Sequence, residues 1–408
     1  MKRLLISLSM LAAGQAALAQ PWRFTKIVDT DTPVPSGFET YTGFSTVSIE
    51  NGRVAFIGSD SAFRYGVYDS IGQLTRVIAD RNTNLPDSNE KFSQDIFFHL
   101  PGNDVGGGTL SFFGAGTTRG GLYGHDGTSL RTLVDNTFKL PNSGEDFAVN
   151  TPRHDVSGTD VVFGAEGMAT HQPGIYRRRG DTFEVIADKT MSPPGHAETF
   201  SNFVDWRLDG DATCFTAATS NGHAGIFRSQ GGQLTKIMDS NDVDPDGHRL
   251  AFPQYVRPAG ANTVFNAYTD NNIEGIYIKT GSGIDKLVDE TMAPPDGSSA
   301  TYGGIGTLDY QNNTLIFQAG NDVIYTNYGG TMQRLIGPGD TLDGKRVIAA
   351  VFDEHGFDGT TAAFWVIFAG DSSFHYDRAI YTVTIPAPGA AGLVLSGAIL
   401  ALGRRRRR

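Results

Sequence analysis

Cysteine is almost absent from this chain of 408 residues, since Cys214 is the only one. One cysteine excludes an internal disulfide. Cys214 precedes Phe215 in an apolar stretch, which predicts a small buried hydrophobic side chain rather than a reactive thiol. Stability must therefore come from a hydrophobic core, and chains of ~300 residues bury roughly 75% of their unfolded surface.

Positive charge is scarce as well, with 33 basic against 44 acidic residues. Residues 1–19 and 404–408 hold seven of the basic residues and no acids, so 26 remain between them. Phosphate binding needs clustered basic residues, which argues against a nucleic-acid partner. Cations are plausible partners for so acidic a chain.

Familiar catalytic motifs are missing. The nine histidines do not recur in phase and form no H-E-x-x-H spacing, and the chain has no G-x-S-x-G elbow or P-loop. The segment 105–109, VGGGT, reads as a turn between strands. We therefore expect a non-catalytic protein with a structural or ligand-binding role. An enzyme acting on polysaccharide, a lyase or glycosidase, is the alternative.

Long hydrophobic runs occur only near the two ends. Lys2 and Arg3, an apolar run from Leu4 and the small residues before Gln20 match a secretory signal peptide, predicted at 1–19. The apolar stretch 390–402 would be about 20 Å long as a helix, against a hydrocarbon core of roughly 30 Å. It is too short for a permanent anchor, so transient membrane association is expected.

The last residues resemble a known sorting signal. Pro386-Ala387-Pro388-Gly389, a small-residue apolar run and five arginines are similar to the PEP-CTERM tail of Gram-negative bacteria, with Ala387 in place of the usual glutamate. The resemblance implies a sorting tail at 386–408, processing by an exosortase-type protease, and an address at the cell surface or in the extracellular matrix.

A repeat of about 50 residues fills the rest of the chain. Each copy has a short apolar strand that ends in phenylalanine, at Phe56, Phe112, Phe163, Phe215, Phe265, Phe317 and Phe364. A second strand follows, centred on Tyr68, Tyr123, Tyr176, Phe227, Tyr277, Tyr325 and Tyr381. The third, such as LTRVIAD at 74–80, is missing from the last copy and is supplied at the N-terminus by FTKIVD, 24–29.

With one more strand ahead of each phenylalanine, these units predict an all-β, seven-bladed β-propeller over 20–385, built of four-stranded blades and closed by the N-terminal strand. A stacked β-sandwich or an open β-solenoid are the alternatives. The segment NGRVAF, 51–56, also resembles the NxxGxxAF-type tandem repeats that often carry such a sorting tail.

Recurring acids mark the ends of the outer strands. Aspartate stands there six times, six residues before a proline, at Asp29, Asp80, Asp135, Asp188, Asp239 and Asp289. An aspartate that accepts a backbone N–H two residues on forms an Asx-turn, and so a structural role is predicted.

One copy carries a richer acidic turn. Asp242, Asp244 and Asp246, followed by Gly247, form the D-x-D-x-D-G pattern of calcium loops. Pro253 stands where the closing acid of an EF-hand would be. A Ca²⁺ site and Ca²⁺-dependent adhesion are one interpretation, and an ordinary acidic surface turn is the other.

Binding residues of propellers gather around the central channel. The repeat places there the charged or aromatic residues His99, Arg153, Asp205, Trp206, Arg207, Arg257, Asp309, Asp353, Glu354 and His355. They are predicted either to bind a sugar or peptide or to line a water-filled channel.

Overall fold

The computed structural model describes residues 22–35, 37, 39–93, 103–149, 153–370 and 376–386. The predicted signal segment 1–19, His99 and the tail from Ala387 onward lie outside these residues. Within the described ranges no helix is long and apolar enough to cross a membrane.

Seven antiparallel sheets follow one another along the chain, and we call them blades 1 to 7. Blades 1 and 2 comprise β2 (Tyr41–Glu50), β3 (Arg53–Asp60), β4 (Tyr65–Ile71), β5 (Leu74–Asp80), then β6 (Asn103–Gly106), β7 (Thr109–Ala115), β8 (Gly120–His125) and β9 (Leu130–Asp135). Blade 3 comprises β10 (Phe147–Ala148), β11 (His154–Ser157), β12 (Asp160–Gly167), β13 (Pro173–Arg179) and β14 (Thr182–Asp188). Blade 4 comprises β15 (Phe200–Asp209), β16 (Ala212–Thr219), β17 (Ala224–Gln230) and β18 (Gln233–Asp239).

Blade 5 comprises β19 (Leu250–Ala251), β20 (Val256–Ala259), β21 (Asn262–Thr269), β22 (Glu274–Thr280) and β23 (Gly283–Asp289). Blade 6 comprises β24 (Ile305–Gln311), β25 (Thr314–Ala319), β26 (Val323–Thr326), a 3-10 turn (Tyr328–Gly330) and β27 (Gln333–Ile336). Blade 7 comprises β28 (Thr341–Leu342), β29 (Lys345–Val351), β30 (Thr361–Phe368), β31 (Arg378–Thr384) and β1 (Phe24–Asp29). The predicted seven-bladed propeller is confirmed.

The two ends of the fold meet in blade 7. Strand β1 pairs antiparallel with β31, from Phe24 opposite Val383 to Asp29 opposite Ala379. The Phe24 and Phe364 rings lie edge to face, with centroids 6.0 Å apart. The N-terminal strand is thus the outer strand of the last blade, as the offset of the repeat predicts.

Each blade is built on the same aromatic pair. The repeat phenylalanine lies directly opposite the tyrosine or phenylalanine of the next strand, as in Phe56–Tyr68, whose centroids are 5.5 Å apart. Such cross-strand pairs are the unit of sheet stabilisation. The blade interiors pack against their neighbours, so that Ile57 and Val67 of blade 1 share a buried cluster with Leu110 and Phe112 of blade 2.

A β-bulge beside this aromatic pair recurs between the third and fourth strands, as at Val67 and Tyr68. It brings the fourth strand close to the position two residues before the aromatic residue of the third strand. That position is glycine in five blades. At Gly121, an added Cβ atom would lie 2.1 Å from the carbonyl oxygen of Val134. At Gly174 and Gly275 the nearest atom would instead be the hydroxyl oxygen of Tyr176 or Tyr277, at 2.9 and 2.8 Å. Glycine therefore recurs because the neighbouring backbone or the tyrosine ring occupies the space of a side chain.

The predicted Asx-turns form at all six of the outer strands that end in aspartate. In each, the aspartate carboxylate accepts the backbone N–H two residues on; Asp80 accepts from Asn82 at 2.9 Å and Asp188 from Thr190 at 2.8 Å. Cys214 is fully buried, as predicted.

Candidate functional site

The inner strands place one set of side chains toward the propeller axis. In blades 1 to 6 the inner strand has a residue that pairs with the repeat phenylalanine, as Val256 pairs with Phe265. Because strand side chains alternate, the next residue points to the other face of the blade. This position carries Ser48, Asp104, Asp155, Arg207, Arg257 and Asp309 in blades 1 to 6, and Asp353 follows Phe352 in blade 7.

Five of these side chains line a cavity of about 710 Å³ at one mouth of the channel, namely Asp104, Asp155, Arg207, Arg257 and Asp309. All seven blades line it, through the ends of their inner strands and the turns that follow. Its ionisable lining residues are Glu50, Asp104, Asp155, Asp160, Asp309 and Asp358 on the acidic side, Arg207 and Arg257 on the basic side, and His355. The cavity is therefore polar and predominantly acidic.

Carboxylates of the inner strands also join neighbouring blades. Asp104 accepts the backbone N–H of Val156 at 2.8 Å, and Asp155 accepts that of Leu208 at 2.6 Å. In the same way Asp205 accepts from Val256 at 2.8 Å. Buried N–H groups need such partners, so these bonds hold adjacent inner strands together.

An equivalent bond joins the last blade to the first. Asp353 of blade 7 accepts the N–H of Val47 in blade 1 at 3.0 Å. Burial raises the pKa of Asp353 to about 6. Asp353 was predicted either to bind a ligand or to line the channel, and the structure places it at a junction between blades.

Three arginines and three acids form an ion-pair network across the channel. Asp205 contacts the guanidinium groups of Arg153, Arg207 and Arg257 at 3.1, 3.0 and 3.3 Å. Glu354 pairs with Arg153 at 3.2 Å and with Arg207, and Asp309 lies 3.6 Å from Arg257. Asp205 is 0% exposed, and Arg207 and Arg257 are buried, so the centre of the network is buried in the wall, while Arg153 and Glu354 are partly exposed.

The network controls the ionisation of its acids. Burial alone would raise the pKa of Glu354, but the guanidinium groups of Arg207, Arg153 and Arg257 lower it to about 2. Burial outweighs Arg257 at Asp309, whose pKa is raised. Glu354 is therefore a permanent anion that balances the arginines.

A second group on the cavity wall consists of Asp104, Asp155 and His355, from blades 2, 3 and 7. One ligand atom of each lies within 4.8 Å of the others, and no other set of three histidine, cysteine or acidic residues does so in the described part of the chain. His355 Nδ1 is 3.2 Å from an Asp104 oxygen.

Charge and burial act together on these three side chains. The pKa of Asp104 is raised by burial and by the adjacent Asp155 carboxylate, and burial also raises the pKa of Asp155. Burial, with Arg207 and Arg257 nearby, lowers the pKa of His355 well below its ordinary value, so the imidazole is neutral at pH 7. Two oxygen donors and a neutral imidazole form a set that can hold a metal ion.

The residues predicted for the channel do not all come together. Arg153, Asp205, Arg207, Arg257, Asp309 and Glu354 form the network described above. Trp206 differs: its indole packs with Phe215 in a buried apolar cluster between blades 3 and 4, because its side chain points to the other face of the strand. It does not line the cavity of the channel mouth.

Sequence reasoning missed Asp104 and Asp155. Both stand eight residues before a repeat phenylalanine, the spacing of Arg207, Arg257 and Asp309. This spacing was the signal that could have identified them. In blade 7 the equivalent residue, Asp353, stands eleven positions before Phe364 instead of eight, which conceals the correspondence.

The acidic turn between β18 and β19 has all three of its carboxylates bonded to protein groups. Asp242 accepts the N–H of Asp239 at 2.8 Å, and Asp244 accepts those of Asp246 and His248 at 2.9 and 2.8 Å. Asp246 pairs with Lys286 at 2.5 Å. These bonds are those of an ordinary acidic surface turn, which was one of the two interpretations of the sequence. Calcium binding there stays a prediction.

The ring of blades and its charged channel define this protein as a seven-bladed β-propeller. Residues 23–314 match the family of unknown function DUF7453, and the chain belongs to that family. No curated protein matches the sequence.

Several solved structures are similar at low identity. YCF48 from Cyanidioschyzon merolae is 12% identical, with 89% of this chain and 98% of that chain covered and a TM-score of 0.43. Prolyl oligopeptidase B from Galerina marginata is 11% identical, with coverages of 81% and 47% and a TM-score of 0.47. A puromycin-hydrolysing peptidase of Mycobacterium tuberculosis is also 11% identical, with coverages of 82% and 52% and a TM-score of 0.45. The fold assignment rests on the strand pairing, and no function is taken from these likenesses.

Proposed function

We propose that this chain is an exported, non-catalytic β-propeller that binds a glycan segment in its channel-mouth cavity, at the cell surface or in the extracellular matrix. The observation that carries the proposal is the polar cavity of about 710 Å³ to which all seven blades contribute. Ligand pockets of proteins commonly measure 300–1,000 Å³.

The charge of the cavity selects among glycans. Six acidic residues line it against two arginines. Carboxylates accept hydrogen bonds from hydroxyl and ammonium groups and repel anionic sugars. We therefore infer a neutral or amino-bearing glycan rather than an acidic one.

The channel acids that do not line the cavity make structural contacts, which favours binding over catalysis. Hydrolysis of a glycosidic bond needs two carboxyl groups free to transfer protons and attack the sugar. Asp205 and Glu354 instead hold guanidinium groups, and Asp353 holds the backbone of Val47. These acids stabilise the wall of the channel.

The proposed address follows from the ends of the chain. The signal-like segment 1–19 and the PEP-CTERM-like tail 386–408 support export, processing by an exosortase-type protease and display at the surface. Protease treatment of intact cells that carry such a protease tests this address. The full-length chain should be degraded from outside, and protection of the chain in intact cells would refute the address.

Binding is tested with the purified protein against neutral, amino-bearing and acidic oligosaccharides by calorimetry. Ser157 is exposed on the cavity wall and makes no side-chain hydrogen bond among the described residues, so Ser157→Trp would obstruct the cavity while retaining the network. Gln73→Trp, in an exposed outer turn, is the matched control.

We expect a neutral or amino-bearing glycan to bind, with at least a tenfold loss in Ser157→Trp and none in Gln73→Trp. Binding unchanged in Ser157→Trp would place the ligand elsewhere, and binding of acidic glycans alone would refute the ligand class. Cleavage of the bound glycan would establish the polysaccharide-acting enzyme instead.

A further inference from the structure

We propose that Asp104, Asp155 and His355 bind one divalent first-row transition-metal ion in the wall of the central channel. This inference is independent of the glycan proposal, since either site can exist without the other. It rests on the geometry of the three side chains, the charge around them and unsatisfied donors in the same cavity.

The geometry suits a small ion with its remaining coordination positions open. The three ligand atoms lie within 4.8 Å of one another, and all three residues line the cavity. Bonds of about 2.0–2.2 Å to nitrogen and oxygen ligands require such convergence, with only a small movement of the side chains. The side facing the cavity would accept water or a ligand oxygen.

In the part of the chain that the structure describes, the two carboxylates have no direct cationic partner, because the charge of Arg207 acts on both only from a distance. Among the described residues, no lysine or arginine forms an ion pair with Asp104 or Asp155, and Asp104 is only 2% exposed. The nearby guanidinium groups of Arg207 and Arg257 are already paired with Asp205, Glu354 and Asp309. Burying adjacent carboxylates is costly unless a cation compensates them.

Unsatisfied donors in the wall of the same cavity point to a further acceptor atom in that cavity. Arg207 Nε and Arg257 Nη2 have no hydrogen-bond partner in the described part of the chain, although the side chains are 3% and 5% exposed. Buried donors are normally satisfied, so an acceptor is expected in this space. A water or ligand oxygen bound to the metal would supply that acceptor.

The mixed donor set selects the kind of ion. A neutral imidazole suits zinc and other transition metals, carboxylates also suit manganese, and Ca²⁺ prefers oxygen ligands alone. Zn²⁺ and Mn²⁺ are therefore the probes. The acidic turn at Asp242, Asp244 and Asp246 has only oxygen ligands and serves as the internal comparison.

The experiment titrates the purified, chelator-stripped protein with Zn²⁺ and with Mn²⁺ by calorimetry and counts bound metal after gel filtration. Asp155→Asn keeps an oxygen for the Leu208 N–H, and His355→Asn suits the positive φ of 63° at that residue. Asp246→Asn, in the acidic turn, is the matched control. Circular dichroism of each metal-free variant verifies its fold.

We expect about one equivalent of Zn²⁺ or Mn²⁺, at least tenfold weaker binding in Asp155→Asn and His355→Asn, and unchanged binding in Asp246→Asn. Absence of stoichiometric binding would overturn the proposal and leave a hydrogen-bonded carboxyl pair. Equal binding in the wild type and both site variants would overturn it as well.

A spectroscopic measurement on the wild type covers the case in which a variant does not fold. X-ray absorption of the metal-loaded protein should show one imidazole nitrogen among oxygen ligands. An all-oxygen shell, or more than one imidazole, would place the ion outside this site and refute the assignment.

Discussion

Replacement of Asp205 by alanine tests whether the ion-pair network holds the propeller together. This carboxylate is 0% exposed, contacts three guanidinium groups and accepts the N–H of Val256 from the next blade. The substitution removes the anion and leaves the arginines buried. It also removes one junction between blades 4 and 5.

The magnitude follows from the partners that remain. Removing one member of a buried ion pair costs about 3–5 kcal/mol, and an unsatisfied buried N–H costs about 1–3 kcal/mol. Arg153 and Arg207 retain Glu354, and Arg257 retains Asp309, which limits the loss. We therefore expect the free energy of unfolding to fall by about 3–5 kcal/mol in total.

The assay is urea and thermal unfolding followed by circular dichroism. For a fold of this size the unfolding entropy is about 0.8 kcal/mol per kelvin, so the melting temperature should fall by about 4–6 °C. Asp205→Asn retains an oxygen for Val256 and should cost less than alanine. Asp211→Ala removes an exposed acid paired with Arg179 and should change stability by less than about 0.5 kcal/mol.

A loss below about 1 kcal/mol in Asp205→Ala would refute the reasoning, because a buried network with one anion removed must lose more than a surface pair does. A loss equal to that of Asp211→Ala would have the same meaning. Retention of the slope of the urea transition verifies that the variant still unfolds cooperatively.

Two further predictions concern buried ionisable groups elsewhere. Burial alone would raise the pKa of Asp69, but Arg76 and Arg53, at 2.6 and 2.7 Å, hold it below its ordinary value. Because the pKa of Asp69 is lower in the folded state, its ionisation stabilises the fold above the unfolded pKa of about 3.9. This stabilisation is lost as the pH falls through the folded-state pKa. Asp69→Asn should therefore cost about 2–3 kcal/mol at pH 7 and clearly less at pH 3, by urea unfolding; an equal cost at both would contradict this. Burial raises the pKa of the Cys214 thiol to about 12, so a thiol reagent at pH 8 should label it only after denaturation; rapid labelling of the folded protein would contradict its burial.

The fold was readable from the sequence because every blade repeats the same local requirements. The phenylalanine and the aromatic residue opposite it, such as Phe112 and Tyr123, recur at a spacing that only repeated sheets explain. The displaced strand at 24–29 also revealed how the ring closes. These are short-range patterns, and repetition makes each of them visible several times.

The outer-strand turns were predictable for the same reason. An aspartate such as Asp80 acts on the backbone two residues away, so its role depends on local chain geometry. Trp206 marks the limit of such reasoning within a strand. A shift of one residue decides whether a side chain enters the channel or the blade interface, and the composition of the strand does not show that shift.

The candidate sites depend on contacts that cross blades. Asp104, Asp155 and His355 belong to blades 2, 3 and 7, and only closure of the ring brings them within 4.8 Å of one another. The sequence by itself determined the repeated strands, their number and their circular closure, because those follow from local pattern. The tertiary structure alone decided which acids hold arginines, which join blades and which face an open cavity, because these roles depend on distances between side chains from different blades.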